Sequence, residues 1–253
     1  MSKILITGSA DGLGMMSAKR LLTEGHSVIL HARNESRSMQ ALQSIPGALA
    51  VVTGDLSRTD QTIRLAEQVN ELGILDAVIH NAGVYQVSPR EIFAVNTIAP
   101  YILTCLIKMP KRLIYLSSGM HMHGHPNFGN FKRAQVSYSD SKLHVVMLAK
   151  AVARKLQNVY SNAIDPGWVP TRMGGPGAPE DLHKGFETQT WLAASNDEQA
   201  NVSGRYFKHK TERRYNTLAD DHSLQEELLA QCKGVTGISF PAGKPDKADK
   251  NQN

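Results

Sequence analysis

Ile4-Leu5-Ile6-Thr7-Gly8-Ser9-Ala10-Asp11-Gly12-Leu13-Gly14 is a short aliphatic strand run directly into a glycine-punctuated turn. The aliphatic run is too short for a helix, and Leu13 to Glu24 then takes up helical spacing. Glycines at a strand-to-helix turn let the backbone bend tightly and approach a pyrophosphate, whose charge the helix N-terminus can meet. The spacing is G-x-x-x-G-x-G, and taken alone it also suits an ordinary turn.

The pattern of that stretch repeats along the chain. Ser27 to His31, Leu49 to Thr53, Ala77 to His80, Leu113 to Ser117 and Ser161 to Ile164 read as further buried strands, with Gly204 to Lys208 a seventh. Helices are expected at Arg58 to Leu72, Ile92 to Lys108 and Tyr138 to Leu156; Leu65, Val69 and Leu72 form one apolar stripe. Strands alternating with helices imply βαβ units and a parallel sheet covered on both faces. Right-handed crossovers make the α/β fold class a single doubly wound, Rossmann-type domain with six or seven mostly parallel strands. A closed eight-stranded barrel is the rival, and the strand count argues against it. The domain is expected over residues 1–240, with residues 241–253 a disordered tail of Lys, Asp and Pro.

Composition limits the function. The 253 residues carry 28 Lys plus Arg against 23 Asp plus Glu, a formal excess of five with no long block of one sign. That argues against a dedicated nucleic-acid or membrane-surface protein. With 41% hydrophobic and 20% charged residues the chain is globular. No apolar run is long enough to span a bilayer, and the N-terminal one is too short for a signal-peptide core. Cys105 and Cys232 cannot build a disulfide framework, which points to a reducing, cytoplasmic compartment. His121, His123 and His125 alternate, but no Cys, Asp or Glu in their loop completes a metal site, so no metal is expected.

Taken in order, the motifs resemble those of the short-chain dehydrogenase/reductase superfamily over roughly Lys3 to Lys208. After the Gly8, Gly12, Gly14 turn come Asp55-Leu56 at the third strand end and Asn81-Ala82-Gly83 at the fourth. Asn96, Ser117-Ser118, Tyr138-Ser139-Asp140-Ser141-Lys142 and Pro166-Gly167-Trp168-Val169-Pro170-Thr171 complete the series. Ser118-Gly119-Met120-His121, Gln189-Thr190-Trp191-Leu192-Ala193 and Gly204-Arg205-Tyr206-Phe207 lean toward the retinol-dehydrogenase-like, ketoreductase-like branch. The resemblance implies a nicotinamide-dependent oxidoreductase acting on a small carbonyl or secondary alcohol. It implies cofactor contacts from Gly8, Ser9, Gly12, Leu13, Gly14, Arg33, Asp55, Leu56, Asn81, Ala82, Gly83, Tyr138, Lys142, Pro166, Gly167, Val169 and Thr171. Asn96, Ser118, Tyr138 and Lys142 are implied as the catalytic set. Lys142 would also bind the nicotinamide ribose, Ser118 would bond the substrate oxygen, and Asn96 would hold a water that relays protons. A homodimer through the helices around Asn96 and Tyr138 is a further implication.

The residues support this chemistry. Tyr138 and Lys142 stand at i and i+4, one face of a helix. A free tyrosine titrates near ~10, and lowering it by ~2 units needs about 2.7 kcal/mol, within reach of one nearby ammonium. Ser118 is chosen over Ser117, although either could be a turn residue. Residues 119–137 form a longer loop than in many members, and such a loop can cover a substrate. His121 and Phe128 in it, with Trp168, Met173 and Arg172, are pocket-lining candidates.

Nicotinamide preference turns on Val28-Ile29-Leu30-His31-Ala32-Arg33-Asn34-Glu35. NAD enzymes place an acid near this strand end, ~20 residues past the glycines, to take the ribose 2′-hydroxyl. Here Arg33 stands 19 residues after Gly14, with Glu35 beyond it and Arg37 a second positive charge. A guanidinium grips a 2′-phosphate, so NADP(H) is expected over NAD(H). Two rivals remain: a sugar-nucleotide epimerase or dehydratase, for which too few residues follow Thr171, and a cofactor-sensing binding protein without turnover, for which Tyr138 and Lys142 are superfluous.

Overall fold

The computed structural model describes residues 1–242. Except for Pro241 and Ala242, the tail expected from residue 241 lies outside the described residues. Eight strands form one sheet in the order β3-β2-β1-β4-β5-β6-β7-β8. They are β1 Lys3–Ile6, β2 Ser27–Ala32, β3 Ala50–Thr53, β4 Ala77–His80, β5 Arg112–Leu116, β6 Tyr160–Ile164, β7 Tyr206–Lys208 and β8 Thr211–Glu212. The first seven run parallel, while β8 turns back antiparallel on β7, pairing Phe207 with Glu212. This two-residue hairpin arm is the eighth strand that the sequence pattern is too short to announce.

Period-two alternation sends successive side chains to opposite faces. Ile4 and Ile6 enter one core with Val28, Leu30, Ile79 and Ile114. Leu5 enters the other with Ile29, Val78, Leu113 and Tyr115. Helices α1 Gly12–Thr23, α2 Glu35–Ser44, α3 Thr59–Glu71, α4 Pro89–Ile92, α5 Ala99–Leu106, α6 Tyr138–Lys155, α7 Leu182–Ala194 and α8 His222–Thr236 cover the two faces. The helix expected from Ile92 to Lys108 is broken into α4, a π turn at Phe93–Ile98 and α5. Single π turns gather at functional sites, and this one carries Asn96.

The strand order reverses between β1 and β4: β2 and β3 follow on one side of β1, and β4 onward on the other. Ligands bind outside the carboxyl ends of strands at such a switch point. The loops leaving β1, β4, β5 and β6 there carry Gly8, Asn81, Ser118 and Pro166.

Candidate active site

The turn after β1 is built at backbone distance. Gly8 takes φ +64°, and a Cβ on it would lie 3.0 Å from the Ala82 Cα. A Cβ on Gly14 would come within 2.5 Å of the Gly8 oxygen and 2.6 Å of the Asn81 Nδ2, so no larger residue fits. Asn81 Nδ2 donates to the Thr7 oxygen at 2.8 Å and the Gly8 oxygen at 3.2 Å, and the Ala82 N–H donates to Thr7 Oγ1 at 3.0 Å. Asp11, the N-cap of α1, makes no side-chain cap bond. Its carboxylate pairs instead with Arg37 at 2.5 Å. The first-turn N–H groups, which have no partner inside a helix, are therefore left for an outside acceptor. The cradle fits a dinucleotide pyrophosphate.

Arg33 follows β2 and is exposed, forming no ion pair among the described residues. Asp55 caps the turn after β3: its Oδ1 accepts from the Ser57 N–H at 2.9 Å, beside buried Leu56. Across the sheet, Val169 is buried and Gly167 has φ +82°. Thr171 Oγ1 accepts from the Gly174 N–H at 3.2 Å, closing the loop after β6.

Ser118, Tyr138 and Lys142 converge. Ser118 leaves β5 in extended backbone (φ −167°), and its hydroxyl accepts from the Met120 N–H at 3.3 Å and acts on the Tyr138 hydroxyl in favour of the ionised form. Tyr138 is the first residue of α6, whose N-cap Ser137 accepts from the Asp140 N–H at 3.1 Å. One turn on, Lys142 is buried, and its Nζ donates to the Leu116 oxygen at 2.8 Å. That ammonium lies 5.5 Å from the centre of the Tyr138 ring. A Cβ on Gly83 would stand 3.3 Å from the Lys142 Nζ, so a side chain there would press on the ammonium.

Asn96 sits behind this group. Its Oδ1 accepts from the Val84 N–H at 2.9 Å, and its Nδ2 donates to the Val84 oxygen at 3.0 Å and to Ser141 Oγ at 3.1 Å. The carboxamide thus pins the Gly83–Val84 turn beside Lys142.

The electrostatics depart from the simple expectation. Burial pushes the Tyr138 hydroxyl up to about 12, opposed by the Ser118 hydroxyl and helped by the Asp165 and Tyr85 charges. Burial pulls Lys142 down to about 8, against the attraction of Asp165. The expected lowering of the tyrosine by its lysine is reversed because both groups are dehydrated and the ammonium is turned to the Leu116 oxygen. Sequence reasoning also passed over two neighbours. Tyr85 packs its ring 4.6 Å from that of Tyr138. Asp165, at the exit of β6, holds the Gly167 N–H at 2.8 Å, and its other oxygen would lie 3.2 Å from a Cβ on Gly119. Both stand in the flanks of recognised motifs, where an acid directly before Pro166-Gly167 was the available signal.

The segment at residues 119–137 folds down as two 3-10 turns, Gly119–His123 and Phe128–Arg133. His121 lies beneath the site: it is buried against Tyr206 at 4.6 Å, with Nδ1 on the Ser118 oxygen at 2.7 Å and Nε2 accepting from the Asn216 N–H at 3.2 Å. His123 and His125 are exposed. Phe128 and Phe131 are buried in the core around Phe93 and His144 and so are not pocket walls. Trp168 and Met173 are exposed on the loop after β6.

The comparisons agree with the geometry. The family described as short chain dehydrogenase matches residues 2–110. An uncharacterized oxidoreductase of Emericella nidulans is 43% identical over 96% of this chain and 100% of that protein. The short-chain dehydrogenase chyC of Penicillium rubens is 37% identical over the same 96% and 100%. Mouse retinol dehydrogenase 13 is 26% identical over 96% of this chain and 86% of its own. A chain described as a short chain dehydrogenase from Shigella flexneri, solved with NADP, superposes with a TM-score of 0.65 at 23% identity, covering 83% of this chain and 97% of that one. The chain belongs to the short-chain dehydrogenase/reductase superfamily and is an oxidoreductase of it. Within that superfamily it falls in the retinol-dehydrogenase-like branch.

Proposed function

We propose that this chain is an NADP(H)-dependent carbonyl reductase or alcohol dehydrogenase in which Tyr138 moves the proton. The observation that carries the reading is the meeting of Ser118, Tyr138 and Lys142 beside a glycine cradle that fits a dinucleotide. Bound nicotinamide would supply or accept the hydride. The cradle residues Gly8, Ser9, Gly12, Leu13 and Gly14 would hold the pyrophosphate, with Asp55, Leu56, Asn81, Ala82 and Gly83 toward the adenosine and middle of the site. Pro166, Gly167, Val169 and Thr171 would flank the nicotinamide end.

The hydroxyls of Ser118 and Tyr138 lie close enough for Ser118 to act on the tyrosine's ionisation, and one carbonyl oxygen would accept from both. With its pKa near 12, Tyr138 keeps its proton through neutral pH and donates it as charge develops on that oxygen. Lys142, fixed by the Leu116 oxygen, holds positive charge beside the tyrosine and favours the phenolate that donation leaves. Asn96 positions the turn against which Lys142 lies; a relay water would take main-chain partners, since the carboxamide is engaged by protein.

Preference for NADP(H) rests on exposed Arg33 at the end of β2, while Arg37 is occupied in neutralising Asp11. The substrate is a small carbonyl or alcohol compound, and the mild charge argues against a dedicated nucleic-acid or membrane-surface role; no helix among the described residues is long and apolar enough to cross a membrane. The two free cysteines suit the cytoplasm. A homodimer would have to use a face other than α6, which α8 covers within the chain through Leu228, Leu229 and Cys232.

The test is consumption of NADPH, and separately NADH, across aldehydes, ketones, quinones and polyketide-like aromatics. Turnover with at least one class, faster with NADPH, is expected. Tight NADPH binding with no turnover on any would support the sensing protein instead.

A further inference from the structure

The side chain of His31, the fifth residue of β2, is buried and takes no part in the chemistry above. It closes a ring of hydrogen bonds around the first glycine of the cradle. The Gly8 N–H donates to His31 Nδ1 at 2.9 Å, and the opposite nitrogen, Nε2, meets the Gly54 oxygen at 2.8 Å. The main chain adds two more bonds: His31 N–H to Ser9 Oγ at 2.9 Å, and Ser9 N–H to the His31 oxygen at 3.2 Å. A ring nitrogen that accepts from an N–H has no proton, and one facing a carbonyl has one. The partners therefore select the neutral Nε2–H tautomer.

We propose that His31 is a positioning residue of the dinucleotide site: its imidazole latches the Gly8 peptide in the turn the pyrophosphate needs, and a second ring proton opens the latch. Gly8 is then gripped from both sides, its N–H by His31 and its oxygen by Asn81. The doubly protonated ring would point an N–H at the Gly8 N–H, so the bond cannot survive protonation. The charged groups facing the ring are few. The glycine turn offers only Ser9 and main chain in contact, and Asp11 is paired to Arg37. The turn after β3 offers the Asp55 carboxylate, which favours the charged ring; burial outweighs it and holds the imidazole below its ordinary range. On its own strand the next charge is Arg33, which is exposed. The latch is closed at neutral pH and loosens as the medium becomes acid.

This inference rests on the glycine cradle holding a nicotinamide dinucleotide, so one measurement is made without it. In the apo protein, ¹⁵N NMR of the imidazole should show the neutral Nε2–H tautomer; the Nδ1–H form would overturn the latch whatever the cofactor does. For binding, NADP⁺ titrations compare wild type with His31→Asn and His31→Leu. An asparagine carries its amide oxygen near the position of Nδ1, so it can keep the Gly8 bond without titrating. His31→Leu should weaken binding about five- to tenfold, the scale of one buried hydrogen bond, while His31→Asn stays within about twofold of wild type at neutral pH. As the pH falls below the ordinary histidine range the wild-type Kd should rise relative to that of His31→Asn. The ratio cancels titration of the cofactor's own phosphate. A leucine variant that binds as tightly as wild type, or a flat ratio down to the pH of unfolding, overturns the proposal. If His31→Leu does not fold, the asparagine ratio and the tautomer decide. Wild-type protein that binds neither NADP⁺ nor NAD⁺ would sink the oxidoreductase reading instead, and the tautomer would still report on the latch.

Discussion

The turn at Gly8 to Gly14 and the segment at residues 119–137 border the same end of the sheet, yet they are held in different ways. The turn is closed by sterics, with the His31 and Asn81 side chains holding its first peptide: a Cβ on Gly14 would lie 2.5 Å from the Gly8 oxygen. Residues 119–137 are fixed by side chains of the helix that follows them, α6. Asp140 of α6 takes the His125 N–H at 2.8 Å and Asn127 Nδ2 at 2.9 Å, and His144 meets the Pro126 oxygen at 2.7 Å. Steric fixation demands particular residue types at particular positions. Side-chain fixation demands only that suitable partners meet, wherever they lie in the chain. The longer segment is therefore anchored to the core at His121, Phe128, Phe131 and Val136, and its exposed large apolar side chains are Met120 and Met122.

If the two regions are held independently, damage to one should spare the other. Phe131 is buried between Phe93, Phe128 and His144. Phe131→Ala should cost about 3–5 kcal/mol of stability, the usual range for a buried aromatic truncation, with the NADP⁺ Kd of the folded protein unchanged. Denaturant unfolding and cofactor titration measure the two quantities; a Kd that weakens along with the stability breaks the comparison. Tyr138→Phe sharpens it from the other side. The hydroxyl alone is lost, so turnover should fall by about 10²-fold or more, with stability and cofactor affinity near wild type. Activity close to wild type would remove Tyr138 from the chemistry.

The same contrast explains what was legible in the sequence. β4 runs from Ala77 to His80 as read, because a fully buried strand shows as an unbroken apolar run. Leu65 and Val69 lie buried on α3 as their spacing requires. By contrast, no apolar stripe announces α7, whose buried face includes Gly185, Thr188, Gln189 and Thr190. Gln189 is there to donate to Ser17 of α1 at 2.6 Å, a partner 172 residues away. The π turn around Asn96 carries no local mark either. In the site, the glycines and Tyr138 with Lys142 were readable because their spacing is set within one element. His31 and Asp165 were not, since their roles come from strands that the sheet brings alongside.

The next test compares the two ends of the cofactor cradle. Arg33→Asp replaces an exposed guanidinium by a carboxylate at the end of β2, where a 2′-phosphate would be repelled. The preference in kcat/KM for NADPH over NADH, expected to be at least ~10-fold, should vanish or invert. Kinetics with both cofactors decide it. A variant that keeps the preference would shift the discrimination to the glycine turn, where Arg37 pairs with Asp11.

The smallest effect should come from Asp165, which stands against Gly119 at the edge of one region and faces the groups between the two. Its charge raises the pKa values of both Tyr138 and Lys142. Asp165→Asn removes a negative charge of nearly the same shape, so each group should lose its proton more readily. For alcohol oxidation, where Tyr138 must accept a proton, rate rises with pH as the phenolate forms; that limb should move to lower pH in the variant. Lys142 sits at about 8 in the wild type and loses its positive charge as pH climbs through that value. Without Asp165 the loss should begin earlier, and the alkaline rise in the cofactor KM should move down with it. Both breaks should shift by less than about one pH unit, the scale for one charge acting through a partly hydrated cleft. Profiles of kcat and of the cofactor KM from about pH 6 to about pH 10 separate the two, the first following the rising limb below the tyrosine's pKa and the second the lysine's break. Breaks that stay in place, or move upward, would show that Asp165 is screened from the tyrosine and lysine and acts only on the turn it caps at Gly167.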